Sequence, residues 1–275
     1  MTAWKSFLTR ALSAIAALII IFVLFSVWST QGLKFLILLA VLVGTQELVK
    51  ILFPPETSLF IKILFYILSI LIFAGSSASL MAGSLIYSLA LVIMITAVLL
   101  SAHKSGQLVQ MTQLHLRASM GFFYMGLLPS FSYKILDHGL SWFAFLLIVV
   151  FAGDTLAYVA GVLFGRHKIM PSVSPKKTWQ GSVGGLFGAL LAGFLCWYYL
   201  FPEASAFYLM TLAALAGFAG QFGDFFESLL KRVADVKDSG KIMPGHGGIL
   251  DRIDGVLFAS PVILSGILIL SHLLS

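Results

Sequence analysis

Cysteine occurs once in these 275 residues, at Cys196, so no disulfide can form within the chain. That residue sits in an apolar run, where packing is its default role. Charge is scarce as well: Asp, Glu, Lys and Arg make up 10% of the residues, against 60% hydrophobic ones. So little polar surface cannot cover a water-soluble globule of this length. Period-two alternation is lacking in the apolar segments, which excludes a membrane β-barrel and leaves helices. Walker A, HExxH and GxSxG sequences are also missing, which removes the commonest nucleotide, metalloprotease and serine-hydrolase signatures. No internal repeat is visible, and this weakens the inverted-repeat plan of many transporters.

Long apolar runs are what the chain has in abundance. A spanning helix needs about 20 mostly apolar residues. Nine runs meet that description, near 11–29, 33–53, 58–76, 79–101, 116–136, 140–165, 181–201, 204–230 and 253–273. The expected fold is therefore an all-α integral membrane protein with about nine transmembrane helices. The first run follows Lys5 and Arg10 but exceeds a usual signal-peptide core and lacks a small-x-small cleavage site, so it reads as a retained helix.

The net charge of +6 is segregated in a way that argues against nucleic acid as its partner. With nine alternating spans, only Lys34 and Lys134 fall opposite the N-terminus, and the other 15 of the 17 Lys and Arg residues share its side. Basic loops stay cytoplasmic, so the N-terminus is expected inside and the C-terminus outside. Residues 1–115 hold short loops and one notable buried charge, Glu47, and read as supporting helices. Residues 116–275 read as the chemical region, with charged, glycine-rich cytoplasmic loops at 166–180 and 231–252.

Ionisable groups within or beside spans are costly and are functional candidates by default. In "GQFGDFFESLLKR", Asp224, Glu227, Ser228 and Lys231 are spaced to share one helix face, either as interhelical glue with a snorkelling Lys or as part of a site. In "GILDRIDG", Asp251 and Asp254 lie one turn apart and repel unless a cation or Arg252 stands between them. They suit either a helix N-terminus or Mg²⁺, which takes one or two carboxylates, with waters and substrate phosphates completing its shell. Asp224 and Asp251 are expected on neighbouring helices, where they could share such an ion. In "MPGHGG", Gly245, Gly247 and Gly248 leave backbone N–H groups open before a helix, either as a simple turn or as an anion cradle with His246 as a further donor. The stretch "FAGDTLAYVAGVLFGRHKIMPSVSPKKTWQG" breaks an apolar span with Asp154 and follows it with Arg166, His167, Lys168, Lys176 and Lys177. Such basic groups commonly meet anionic headgroups. Ser174 and Thr178 add hydroxyls, and Pro171 and Pro175 shape the loop. Together the clusters describe a cytoplasm-facing polar cavity in the C-terminal half, suited to polyphosphate chemistry on a membrane-embedded partner.

The stretch "SLLKRVADVKDSGKIMPGHGGILDRID" resembles the signature of phosphatidate cytidylyltransferases (CDP-diacylglycerol synthases), S-x-x-K-R-x(4)-K-D followed by P-x-H-G-G-x-x-D-R-x-D. Ser228, Lys231, Arg232, Lys237, Asp238, Pro244, His246, Gly247, Gly248, Asp251, Arg252 and Asp254 fall on it. "DTLAYVAGVLFGRHK" and "SPKKTWQG" are similar to the family too, with Gln180 standing where Glu is common. The resemblance covers about residues 150–256; the N-terminal half matches only in being multi-span. It implies that CTP and phosphatidic acid give CDP-diacylglycerol and pyrophosphate, with Mg²⁺ required and room for a second cation. On this resemblance, Asp224 and Asp251 bind the metal, supported by Asp254. Lys231, Arg232, Lys237 and Arg252 neutralise substrate phosphates, and His246 with Gly247 and Gly248 cradles the leaving pyrophosphate. Ser174, Lys176, Lys177 and Thr178 form another wall, and Ser228 lies with the substrate-binding set. A homodimer is what the family suggests, and a bacterial inner membrane is the expected location.

Three rivals remain at this point. "DRIDG" also begins the motif of CDP-alcohol phosphotransferases, but those expect further Asp residues on the next helix and nothing acidic follows Asp254. A CTP-dependent lipid kinase would release CDP in place of pyrophosphate. A cation- or proton-coupled transporter would use Asp154, Asp224 and Glu47 as a relay, and leaves the basic residues and glycines at one mouth without a purpose.

Overall fold

The computed structural model describes residues 3–101, 108–243, 245 and 247–274, with side chains from position 26 through 271 wherever these residues fall, and at 19, 23 and 24. Helices dominate it: α1 Ala3–Leu52, α2 Leu59–Ala78, α3 Leu80–Ser101, α4 Leu108–Gly121, α5 Leu128–Ile135, α6 Leu140–Phe164, α7 Trp179–Leu200, α8 Ala206–Val233 and α9 Leu250–Leu274. A π-helical turn, Phe122–Leu127, joins α4 to α5, and a 3₁₀ turn, Leu136–His138, follows α5. Among the described residues, seven helical segments are long and apolar enough to cross a membrane, beginning with Ser26–Leu52 and ending with Leu250–Ser271.

The two remaining expected spans differ for distinct reasons. The side chains of most of the 11–29 run lie outside the described residues. Its backbone continues into the next run as α1, interrupted only by Ser29 at φ 53°, ψ −136°. In a straight helix, residues eight apart are separated by about 12 Å. A Cβ on Gly32 would stand 2.1 Å from the carbonyl oxygen of Leu24, so the chain bends sharply at Ser29. The 116–136 run is helical throughout but starts earlier, at Leu108, and is divided by the π turn into pieces too short to qualify singly. Insertions of this kind widen one helical turn and are frequent near functional segments.

The chain divides into two compact units. One holds residues 1–133 and 234–252; the other holds 134–233 and 253–275. In the first, an aromatic stack forms the core: Phe65 meets Phe53 edge-on at 5.0 Å and stacks on Phe122 at 5.1 Å. Gly121 admits the Phe65 ring, since a Cβ there would lie 2.5 Å from its Cζ. Ser58 caps α2 through the N–H of Ile61, and Gly83 of α3 packs directly on Ser76 of α2.

In the second unit, small residues bring helix backbones together, as is usual where lipid removes the hydrophobic drive between helices. A Cβ on Gly188 of α7 would come 2.6 Å from the Ala152 carbonyl of α6, and one on Gly217 of α8 would come 2.4 Å from Ala189 of α7. Gly223 of α8 rests on the backbone of Asp254, where a Cβ would fall 2.3 Å from the carbonyl oxygen. That last approach sets Asp224 beside Asp254, and the glycine spacing thereby positions the acids. The unit also holds an apolar cavity of about 450 Å³ lined by Tyr208, Leu212, Leu215, Pro261 and Gly266 among others. None of the carboxylates lines it.

Candidate active site

The loop before α7 in the second unit is held in one shape by its own backbone. Lys168 and Thr178 form an antiparallel bridge, Trp179 N–H donates to the His167 carbonyl at 3.0 Å and Ile169 N–H donates to that of Lys177 at 3.2 Å. Thr178, called a substrate-wall residue from sequence, is buried and accepts from the Gly181 N–H at 3.1 Å, so its hydroxyl caps α7. Gln180 accepts from the N–H groups of Arg166 and His167 at 3.1 and 3.3 Å, and its amide nitrogen lies 3.1 Å from His167 Nδ1. Gln180 thus clasps the loop to the first turn of α7.

That loop delivers Lys177 to α8. Its Nζ lies 2.6 Å from Asp224 Oδ2 and 4.0 Å from the centroid of the Phe225 ring. Asp254 stands within electrostatic reach of Asp224, Asp154 and Lys177, the two acids repelling its carboxylate and the lysine attracting it. One turn further along α8, Glu227 is 1% exposed and pairs with Lys231 at 2.5 Å. Arg232 is exposed and donates from Nε to the Val173 carbonyl at 3.2 Å, tying the end of α8 to the loop that carries Ser174 and Lys176. Ser182 and Gln221 exchange hydrogen bonds between α7 and α8, an anchor that sequence reading passed over. Ser228 follows Asp224 on α8 and is half-buried.

The first unit contains a second acidic centre. Asp251 Oδ2 accepts from Ser239 N–H at 2.9 Å and from Gly248 N–H at 2.8 Å, and the Ser239 hydroxyl lies 2.9 Å from the same oxygen. Gly247, at φ +84°, leaves space for this carboxylate, since a Cβ there would sit 2.4 Å from Oδ2. The same Ser239 hydroxyl lies 3.0 Å from Glu47 Oε2. Lys237 and Arg252 are exposed in this unit, and His246 lies outside the described residues. The expected site residues thus fall into two sets. Asp154, Lys177, Asp224 and Asp254 meet in one unit; Asp251 is clasped with Ser239 and Gly248 in the other.

The donor chemistry fits a hard divalent cation. Asp224 and Asp254 offer carboxylate oxygens whose mutual repulsion a cation relieves, and Mg²⁺ asks for only one or two such ligands from protein. Among the described residues, no group of three or more His, Cys, Asp or Glu side chains converges as a complete ligand set. A site of this kind would be finished by substrate phosphates and water.

The model of the cytidylyltransferase family matches residues 8–270 of this chain. A phosphatidate cytidylyltransferase of Staphylococcus aureus (strain COL) is 38% identical over 144 residues, which cover 52% of this chain and 55% of that protein. The protein of that name from Staphylococcus saprophyticus subsp. saprophyticus is 39% identical over the same length and shares, and that of Staphylococcus epidermidis 37%. The chain therefore spans about half the length of the curated relatives it matches.

Proposed function

Since the chain belongs to the cytidylyltransferase family, we propose that it transfers the cytidylyl group of CTP to phosphatidic acid, giving CDP-diacylglycerol and pyrophosphate. The observation that carries this reading is the lysine-braced pair of carboxylates, Asp224 and Asp254, beside a loop and helix end rich in cations. A phosphatidate oxygen forms the new bond to the α-phosphorus. The bond from that phosphorus to the bridging oxygen of the β-phosphate breaks, and pyrophosphate leaves with the electron pair. A phosphate monoester is already ionised, so no general base is needed, and catalysis reduces to alignment and charge neutralisation.

In this reading Asp224 and Asp254 hold Mg²⁺, with Asp251 presenting its own carboxylate from a fixed loop. When bound, the ion would draw electron density from the triphosphate and steady the leaving oxygens. Lys177, Lys231, Arg232, Lys237 and Arg252 take up phosphate charge, and Lys176 and Ser174 line the loop side. Gly248 N–H already serves Asp251, so of the glycine turn it is Gly247 that is assigned to the pyrophosphate. Purified protein in detergent, given phosphatidic acid, CTP and Mg²⁺, is expected to release pyrophosphate and to stop when a chelator is added. CDP as the product would replace this reading with a lipid kinase, and activity indifferent to chelator would remove the metal.

We further propose that the basic loops 166–180 and 231–252 face the cytoplasm, because 15 of the 17 Lys and Arg residues fall on one side of an alternating chain. CTP comes from water and phosphatidate from the bilayer, and this placement lets both reach one rim. A cysteine placed at Lys237 in a Cys196→Ser background should resist an impermeant thiol reagent in intact cells and react after permeabilisation. Labelling in intact cells would reverse the orientation.

A further inference from the structure

Glu47 lies within the apolar run of α1 and is 2% exposed. Burying a carboxylate is costly unless donors surround it. Its donors come from the far end of the chain: Ile249 N–H reaches Oε1 at 3.2 Å, Leu250 N–H reaches Oε2 at 3.1 Å, and the Ser239 hydroxyl lies 3.0 Å from Oε2. Two of these are the open N–H groups at the start of α9, where a negative charge is favoured. The loop is shaped around this one side chain. A Cβ on Gly240 would stand 2.1 Å from Oε1, and one on Gly248 would stand 2.4 Å from Oε2. Glycine at both places is what admits the carboxylate.

The same residues hold Asp251. Gly248 turns its Cα toward Glu47 while its N–H donates to Asp251 Oδ2. Ser239 lends its N–H to Asp251, and its hydroxyl, with a single proton, lies within reach of both carboxylates and serves one at a time. Both oxygens of Glu47 are engaged by this loop and its helix, which leaves the side chain a supporting part and not a contact to substrate. We infer that Glu47 is a positioning residue for Asp251: it fixes the 239–250 segment, and this in turn aims the Asp251 carboxylate. The inference deepens the proposed function by giving the N-terminal helix a part in the site, and it rests on that reading only for the purpose Asp251 serves.

Residue-resolved amide exchange on the full chain in detergent tests it with Glu47→Gln, which keeps size and burial but turns an NH₂ group toward a donor in either orientation. A merely local cap would expose Ile249 and Leu250 alone. Positioning of Asp251 requires that the amides of Ser239 and Gly248, which bond to Asp251 and not to Glu47, also exchange roughly tenfold to a hundredfold faster, with α2 and α3 unchanged. Mn²⁺ titration should show affinity weakened about 10–100-fold, as for other groups that orient a ligand. Should Glu47→Gln fail to fold, Glu47→Asp carries the test, since its shorter side chain keeps the charge but withdraws the carboxylate from Ile249 and Leu250, and the same faster exchange at Ser239 and Gly248 is expected. Unchanged protection of Gly248 in either variant overturns the inference. If the wild type binds no Mn²⁺ or makes no pyrophosphate, the functional reading fails while the exchange result still decides the role of Glu47.

Discussion

Asp224→Asn is expected to lower pyrophosphate release from CTP and phosphatidic acid by on the order of 10²–10³-fold, the scale of losing one electrostatic stabiliser of the transition state. The substitution changes charge and little else. An asparagine fits the same half-buried position on α8 and retains an oxygen for Lys177, which now lies 2.6 Å from Oδ2. Gly223, next to it, still packs on the Asp254 backbone, so the helix contact that positions the pair survives. Folding should therefore hold, and elution and melting in detergent should match the wild type. What disappears, on the proposed reading, is one of two anionic ligands. A weaker explanation would give Asp224 only the task of holding Lys177. Lys177→Met separates the two: under that explanation it costs as much as Asp224→Asn, and the double variant is no worse than either. If Asp224 acts on the ion, Lys177→Met is milder and the double variant worse. Wild-type turnover in Asp224→Asn would remove it from the site altogether.

Much of this arrangement could be read from the residues, and the parts that could not share a cause. Apolar runs locate helices because bilayer thickness dictates their length, and the C-terminal motif stands out because polar residues in such a chain are rare enough to be noticed individually. Partners distant in sequence are a different matter. Nothing in "SPKKTWQG" states that Lys177 and not Lys176 meets Asp224, since the loop's bridge between Lys168 and Thr178 decides which side chain turns inward. Thr178 is expected on a wall of the substrate site through the family resemblance, and no local pattern says that its hydroxyl also caps α7. The resemblance reached about residues 150–256, whereas the family match extends over residues 8–270. The N-terminal helices exchange one apolar residue for another without penalty, so a single sequence carries little family signal there. Glu47 was the exception in plain view, a lone acid in lipid-compatible sequence. Its meaning lay 202 residues away at Ile249, beyond the reach of any local pattern. The π turn at Phe122–Leu127 escaped for a local reason, because a single extra residue in a helical turn leaves the apolar pattern almost untouched.

Asp251 permits a sharper separation of roles, because one of its oxygens is committed. Oδ2 takes the N–H bonds of Ser239 and Gly248 and faces the Ser239 hydroxyl, so this oxygen keeps the loop in order whatever the charge of the carboxylate does for a cation. Asp251→Asn can place its remaining oxygen where Oδ2 stands and preserve those bonds. It should retain amide protection at Ser239 and Gly248 and still lose cytidylyl transfer by on the order of 10²–10³-fold. Asp251→Ala removes the acceptor too, leaving two backbone donors without it at about 1–3 kcal/mol each. Exchange at those amides should then rise, melting should fall, and activity should be lost no further than in the asparagine variant. The comparison is informative because the two substitutions part only if the side chain has two jobs. An Asp251→Asn protein with wild-type turnover would reduce the residue to a clasp for its own loop. Equal disorder in both variants would mean that charge, and not the acceptor oxygen, holds the turn together.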